Sequence, residues 1–246
     1  MFRSNRALLA VVHVLALGVM LSAAGAAHAE NGARWLILNA KSELIDAANL
    51  HVNVAGVMEK GAMMTAKMLG VTVKMPCELG FSRKSVLLGK GTLSESTAEF
   101  TKCETYVNGT FVKACTPHSK GKAAGVVETN PFSGLIVLHF NKASGENEEL
   151  VSIKPISGST FVTMEMGAEC VLGTTITVSG SLSLLESKVG LSTLESIHLF
   201  EESSTLTELW VQSKTTEHLE TSLEGGFEAY LPEPAHLLDP WNGEAG

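Results

Sequence analysis

Four cysteines carry the clearest chemical signal in this 246-residue sequence, and their spacing limits what they can do. They are Cys77, Cys103, Cys115 and Cys170. A redox pair requires a Cys-x-x-Cys spacing, which is absent, and a four-cysteine zinc site normally contains close Cys-x2-4-Cys pairs, which are also absent. An even number of cysteines in an exported chain favours disulfide bonds, and we predict no metal and no cofactor.

The segment CETYVNGTFVKAC, residues 103–115, allows two hairpin registers. If residues 108–109, Asn-Gly, form a two-residue turn, Tyr106 lies opposite Phe111 and makes a favourable cross-strand pair. The two cysteines of the segment then point to opposite faces. If residues 108–110 form a three-residue loop, one strand shifts by one residue and the two cysteines lie directly opposite each other.

The choice of register decides the disulfide pairing. The three-residue loop predicts a bridge between Cys103 and Cys115, which leaves Cys77 to pair with Cys170. The two-residue turn predicts Cys77–Cys103 together with Cys115–Cys170. We favour the first pairing as the sequence prediction and keep the second as its alternative.

The other reactive side chains form no recognisable catalytic motif. The sequence lacks a Gly-x-Ser-x-Gly elbow, a His-Glu-x-x-His pair and a phosphate-binding loop. Asp46 and Asp239 lie near the two ends of the chain that follows residue 29, which weakens an Asp-dependent triad. We predict no catalytic residue and a non-enzymatic protein; the alternative is an exported hydrolase whose site residues are far apart in sequence. No two of the histidines after residue 29 have the sequence spacing of metal ligands. These histidines are His51, His118, His139, His198, His218 and His236.

Residues 1–29 have the pattern of an export signal. Arg3 and Arg6 form a positive start, ALLAVVHVLALGVML forms an apolar stretch, and Ala-His-Ala ending at Ala29 is a small-residue cleavage site. The apolar stretch is short for a membrane span, and no basic cluster follows it. We therefore expect cleavage, no membrane span afterwards, and a secreted or periplasmic protein.

The overall charge and the aromatic content exclude two classes of protein. A formal net charge of −8 argues against binding to a nucleic acid, which requires clustered Lys and Arg. Three Trp and two Tyr are too few for the aromatic girdles of an outer-membrane barrel, so a soluble protein is predicted. The partner is unknown from the sequence, and a small apolar ligand or a cell-surface partner is the expectation.

Strand-length runs separated by Gly, Asn and Ser fill most of residues 30–230. They are rich in β-branched residues and often alternate between apolar and polar positions, as β-strands do. We predict a single all-β domain there, a two-sheet sandwich or a barrel-like fold with at most one or two short helices. The predicted strands are 34–39, 50–57, 70–75, 85–93, 133–140, 159–166, 174–185 and 206–213.

The remaining segments are predicted to be helices, loops or a tail. Helical spacing of apolar residues indicates short helices at 59–70, EKGAMMTAKMLG, and at 42–50, SELIDAANL. Residues 117–131 and 141–149 have loop composition. Residues 231–246 form a Pro-rich C-terminal tail that is expected to pack loosely or to be disordered.

A weak internal similarity suggests a duplicated half-domain. VTVKMPCELG at 71–80 is similar to VTMEMGAECVLG at 162–173, and GTLSES at 91–96 is loosely similar to LSLLES at 182–187. Chance similarity between simple strand sequences is the alternative explanation. The corresponding pseudo-repeat would cover residues 62–110 and 155–200, and its spacing is too long for a solenoid repeat.

Several segments together resemble a group of uncharacterised secreted β-rich bacterial proteins. The resemblance covers most of the chain after the export signal and is most specific around the cysteines. It implies export and a β-rich fold, and it supplies no established activity or site. The segments that carry it are RWLILNA, LGVTVKMPCELG, FTKCETYVNGTFVKACTPHSKGK, ETNPFSGLIVLHF, GAECVLG and LTELWVQSKTTEHLET.

The sequence therefore predicts a non-enzymatic binding or structural protein that acts outside the cytoplasm. One version holds a ligand inside a barrel-like interior, and another is a surface adhesion or assembly module. The hydrolase alternative would need a pocket in which a histidine and a carboxylate meet a nucleophile. A carrier would instead contain an enclosed apolar cavity.

Overall fold

The protein is described here by a computed structural model that covers residues 32–39, 41, 43–45, 50–58, 61–142, 144–186, 197–202, 207–213, 219–233, 236 and 239–245. The described part consists of β-strands and turns, with one short 3-10 helix at Lys113–Cys115 and no α-helix among these residues. This confirms the all-β prediction. In chain order the strands are β1 (Arg34–Ile37), β2 (His51–Met58), β3 (Ala62–Met68), β4 (Val71–Cys77), β5 (Leu79–Leu88), β6 (Thr92–Thr101), β7 (Tyr106–Val107), β8 (Thr110–Phe111), β9 (Val127–Glu128), β10 (Phe132–Asn141), β11 (Glu146–Pro155), β12 (Thr160–Glu165), β13 (Thr175–Glu186), β14 (Ile197–Glu202), β15 (Glu208–Gln212), β16 (Leu219–Glu224), β17 (Gly226–Tyr230) and β18 (Trp241–Glu244).

Eight antiparallel strands pair one after another in a circuit that returns to its starting strand. The order is β11, β10, β6, β5, β2, β17, β14 and β13, and β13 pairs with β11 again. Strand β2 shows why the sequence forms such a sheet. Val52, Val54 and Met58 are buried while His51 and Asn53 are exposed, which is the two-residue period of a strand with one buried face. This barrel-like sheet matches the predicted class of fold.

The long strand β13 continues the same hydrogen-bonded sheet into another group of strands, which we call the second sheet. Its last residues pair with β11 and β14, whereas its first half pairs with β12 and β15. Beyond β15 the second sheet continues through β16, β3, β4, β7 and β8. Gly180 lies in the middle of β13 with φ +124°, and a Cβ there would overlap the carbonyl oxygen of Glu208. Glycine is therefore required at the point where β13 passes from one sheet to the other.

The two ends of the described chain form a separate two-stranded sheet. Strands β1 and β18 are antiparallel, and Arg34 and Glu244 form an ion pair across them at 2.6 Å. Leu231 and Trp241 are almost fully buried, each with 1% of its surface exposed. The prediction of a loosely packed tail at 231–246 is wrong. This Pro-rich segment has no regular spacing of apolar residues, but Leu231 and Trp241 still belong to the core.

The predicted helix at 59–70 is also wrong. Strand β3 and the turn that follows it occupy the described residues of this segment, and Ala62, Ala66 and Met68 of β3 are buried. Residues 62 and 66 share a face in a strand as well as in a helix, since a separation of four fits both periods. Leu69, which the helical pattern placed on the same face, is 49% exposed in the turn.

The other segment predictions have mixed outcomes. The predicted strands at 34–39, 50–57, 70–75, 133–140, 159–166, 174–185 and 206–213 each coincide with an observed strand, whereas 85–93 contains the end of β5, a turn and the start of β6. Residues 117–131 form a loop apart from β9. The loop at 141–149 is shorter than predicted because β11 begins at Glu146 and pairs with β10. Most of the predicted helix at 42–50, and residues 187–196 within the predicted pseudo-repeat, lie outside the described residues, so the duplication stays a prediction. Where the chain is described, no helix is both long and apolar enough to cross a membrane.

Candidate functional site

The two disulfide bonds correct the favoured sequence prediction. Cys77 is bonded to Cys103, and Cys115 is bonded to Cys170. The predicted Cys103–Cys115 and Cys77–Cys170 bridges are therefore wrong, and the alternative pairing is right. All four cysteines predicted to form disulfides do so, with the partners exchanged.

The physical reason is the hairpin register. Asn108 and Gly109 have φ values of +48° and +81°, as the central residues of a two-residue hairpin turn require. Tyr106 therefore lies opposite Phe111, and their ring centroids are 5.8 Å apart. The backbone N–H of Thr72 also donates to the side-chain oxygen of Asn108 at 3.0 Å, which ties the turn to β4. In this register the two flanking cysteines are not opposed.

The disulfides hold a segment that we call the covering segment, residues 102–131, against both sheets. The buried Thr105 hydroxyl donates to the carbonyl oxygen of Cys115 at 2.6 Å. The backbone N–H of Ala98, on β6, donates to the Thr129 hydroxyl at 2.9 Å. Pro117, Val127 and Thr129 of this segment also line the interior cavity described below.

A network of ion pairs attaches the covering segment to the outer side of β5 and β6. Glu99 is only 8% exposed, and its carboxylate lies 3.1 Å from the Arg83 guanidinium and 2.8 Å from the Lys122 amine. Lys122 also lies 3.0 Å from Glu128. The hydrogen bonds from Lys122 to Glu99 and then to Glu128 raise the pKa of the Lys122 amine above its usual 10.5.

We expect the contribution of Lys122 to stability to be present at neutral pH and to disappear in strong alkali. A pKa that is higher in the folded state than in the unfolded state stabilises the fold below the unfolded pKa, and this stabilisation is lost as pH rises through the folded pKa. The measurement compares urea unfolding of the wild type and of Lys122→Met across pH. Their difference should be constant near neutral pH and should shrink above 10.5. A difference in stability that grows with pH would contradict a raised pKa of Lys122 in the folded state.

The interior contains an apolar cavity of about 210 Å³ between the two sheets. Strands of the barrel-like sheet, strands of the second sheet, the covering segment and the terminal strands β1 and β18 all contribute to its wall. Methionines and phenylalanines are prominent in the lining: Met58, Met64, Met75, Met164, Phe100, Phe132, Phe161 and Phe227. Methionine is flexible and polarisable, so such a wall adapts to apolar ligands of different shape.

One end of the cavity is closed by two tryptophans. Trp35 on β1 and Trp241 on β18 both line the cavity, are 3% and 1% exposed, and have ring centroids 6.0 Å apart. The indole N–H of Trp35 donates to the carbonyl oxygen of Thr92 at 2.9 Å, at the start of β6. The short sheet of β1 and β18 thus covers the β5–β6 turn at this end of the cavity.

The other end is bordered by side chains that rest on glycines. The Phe227 ring lies over Gly56, where a Cβ would overlap it, and the Phe100 ring lies against Gly80, where a Cβ would come within 2.9 Å of it. Met58 is buried, and its sulfur would lie 3.2 Å from a Cβ on Gly80. Phe100 and Phe227 are half-buried, in contrast to the two tryptophans.

The lining of the cavity is almost entirely apolar. Ser82, Ser85 and Thr129 are the hydroxyl-bearing residues of the wall, and the Ser96 hydroxyl donates to that of Ser85 at 2.8 Å. No ionisable side chain occurs among the described residues that line the cavity. Proton transfer by a general acid or base has no described group to use at this place.

The histidines considered as candidates are distributed over the molecule. His236 Nδ1 lies 2.8 Å from the carboxylate of the buried Asp239, and His118 Nε2 lies 3.6 Å from that of Glu165. His51 is exposed and His139 is half-buried on β10. The side chain of His198 and the whole of His218 lie outside the described residues. In the part of the chain that the structure describes, no group of three or more His, Cys, Asp or Glu residues is arranged to hold a metal ion.

Sequence reasoning missed the His236–Asp239 pair, and it expected a ligand-holding interior without identifying the residues that line it. The pair has an i, i+3 spacing, which is a detectable signal. The cavity has no local signal, since its wall combines residues from Trp35 to Trp241.

The fold and this site define a class: an all-β protein with two disulfides and an apolar interior cavity. Comparison of the chain with protein-family models, curated proteins and solved structures gave no match.

Proposed function

We propose that the protein is an exported, non-enzymatic protein that binds a small apolar molecule in its interior cavity. The observation that carries the proposal is the cavity itself, with about 210 Å³ of space and a wall of apolar side chains. An apolar cavity of roughly 150 Å³ stays dry and binds benzene or xenon. Empty volume of this kind destabilises a fold, so an apolar ligand that fills it would recover dispersion contacts and stabilise the protein.

Export is supported by two independent features. Residues 1–29 have the pattern of an export signal, and the chain forms two disulfides, which persist in oxidising compartments such as the periplasm and the extracellular space. A carrier for an apolar molecule is useful in either place, because such molecules dissolve poorly in water.

The hydrolase alternative would have to use a different part of the molecule. The His236–Asp239 pair has the distance of a base oriented by a carboxylate, but neither residue lines the cavity. A hydrolase would also need a nucleophile within reach of His236, and no described contact supplies one. The cavity is therefore the better-supported site.

Filling the cavity should remove binding, whereas the same change on the surface should not. Val54 is 8% exposed and lines the cavity, and Val171 is 62% exposed and does not. In a fluorescence titration with the neutral probe N-phenyl-1-naphthylamine, we expect Val54→Phe to weaken binding about tenfold or more, as 1–3 kcal/mol of overpacking implies. Val171→Phe should bind the probe as the wild type does.

Cooperative urea unfolding of each variant is the control, since a loosely packed state would bind the probe without a specific site. Saturable binding by the wild type that Val54→Phe loses and Val171→Phe keeps supports the proposal. Absence of saturable binding by the folded wild type, or equal binding by both variants, would overturn it.

A further inference from the structure

We infer that the ligand is a single unbranched hydrocarbon chain that lies lengthwise in the cavity, with its terminal methyl group against Trp35 and Trp241 and its other end next to Phe100 and Phe227. This inference rests on the proposed function, because it assigns the ligand class and the orientation at the same site.

The length of the cavity favours a chain over a compact molecule. Leu93 and Phe100 both line it and are seven residues apart on β6, which corresponds to roughly 20 Å along a strand. A cavity of this length accommodates one extended chain, whereas a compact ring system would occupy only part of it.

The tryptophan end is suited to a terminal methyl group. Trp35 and Trp241 are almost fully buried there, and the Trp35 indole N–H is already hydrogen bonded to Thr92. Gly91, in the β5–β6 turn, is packed so closely that a Cβ would lie 3.2 Å from the Cβ of Ala33. This end therefore offers apolar ring surface, so a polar group placed there would lose its hydration without compensation.

The opposite end is suited to the polar head of the ligand. Phe100 and Phe227 are half-buried, so part of each residue faces solvent at this border of the cavity. The described lining contains no ionisable side chain, and an unpaired charge is costly to bury. A carboxylate or another polar head would consequently stay outside, next to the two rings. We call the border formed by Met58, Phe100 and Phe227 the mouth.

A series of straight-chain carboxylates tests the ligand class. In displacement of N-phenyl-1-naphthylamine, each added methylene should tighten the dissociation constant about fourfold while the chain still lengthens inside the cavity, and the gain should stop when the chain reaches the tryptophans. Cyclic carboxylates with the same number of carbons should displace the probe more weakly. A series without this dependence on length, or cyclic compounds that bind more tightly, would overturn the inference.

Tryptophan quenching tests the orientation. In a Trp210→Phe background, which removes the tryptophan that does not line the cavity, stearate with a nitroxide at carbon 16 should quench the remaining fluorescence more strongly than stearate with a nitroxide at carbon 5. Equal quenching, or stronger quenching from carbon 5, would overturn the inference.

The mouth is tested with two matched phenylalanine variants. Phe227→Ala should increase the association rate of laurate in stopped-flow measurements, because its ring borders the opening. Phe140→Ala, a change at a residue that is 55% exposed and outside the lining, should leave the rate unchanged. Equal rates for both variants would contradict the position of the mouth.

These results separate the inference from the function on which it rests. Saturable binding of N-phenyl-1-naphthylamine without displacement by straight chains overturns the inference and leaves the proposed function intact. Absence of saturable binding for both the probe and the chains overturns the proposed function, and the inference fails with it.

Discussion

Replacing both Cys115 and Cys170 by alanine should lower the free energy of unfolding by about 4 kcal/mol, from the loop-closure entropy of a cross-link. The bridge spans 55 positions of the chain, so its loss gives the unfolded state much more freedom. Both residues are buried, with at most 3% exposed, and alanine avoids placing a hydroxyl group there. The bridge also joins the 3-10 helix of the covering segment to the loop between β12 and β13, so the covering segment should become easier to open.

The matched control is the pair Cys77→Ala with Cys103→Ala. Its bridge spans 26 positions, and the same relation gives about 3.5 kcal/mol. Urea unfolding under oxidising conditions measures both variants, and peptide mapping without reduction checks which bridge is left. If removing the 115–170 bridge lowers the free energy of unfolding by less than about 1 kcal/mol, loop-closure entropy does not determine how much this bridge stabilises the protein. A mapped 103–115 linkage in the wild type would contradict the described pairing.

The predicted disulfide pairing is wrong because the hairpin at 103–115 adopts the other of the two possible registers, which differ by one residue. The sequence contains both the signal for the correct turn, Asn108-Gly109, and the favourable Tyr106–Phe111 pair. The prediction preferred the register in which the cysteines oppose each other. The structure follows local turn chemistry, because each cysteine has a partner on another strand or loop that is distant in sequence.

Periodicity identified strands such as β2, β10 and β13 but failed where two periods coincide. Positions such as Ala62 and Ala66 fit a helix and a strand equally well, and only the pairing of β3 with β4 and β16 decides between them. That pairing brings together residues that are about 155 positions apart, as in Ala66 opposite Thr221. Local sequence carries no information about a partner so distant.

The residues that line the cavity could not be predicted for the same reason. Its wall needs apolar residues from nearly every strand, and these residue types are indistinguishable in sequence from ordinary core residues. Two glycines within strands do indicate where aromatic rings approach the sheet. Gly56 and Gly80 lie inside strands β2 and β5, where glycine weakens a sheet unless another group approaches closely. The Phe227 and Phe100 rings are those groups, so a glycine within a strand was the available signal for the mouth.

The second large effect is expected at the closed end of the cavity. Trp241→Ala should lower the free energy of unfolding by about 3–5 kcal/mol, the range for removing a buried aromatic side chain. Trp241 is 1% exposed, packs against Trp35, and belongs to the strand that pairs with β1. Its loss removes the contact that holds the two terminal strands over the β5–β6 turn.

Trp241→Phe is the matched variant, because it keeps an aromatic ring and most of the volume. Urea unfolding should show a clearly smaller loss for Trp241→Phe than for Trp241→Ala. A loss below about 1 kcal/mol for Trp241→Ala would contradict a structural role for the C-terminal strand, since buried Trp-to-Ala changes normally cost several times more. The alanine variant also lengthens the cavity at its closed end. If the terminal methyl group of a bound chain lies there, the gain in affinity per methylene should continue to longer chains in Trp241→Ala than in the wild type. This one substitution would then change both the stability of the fold and the length of the chain that it binds best.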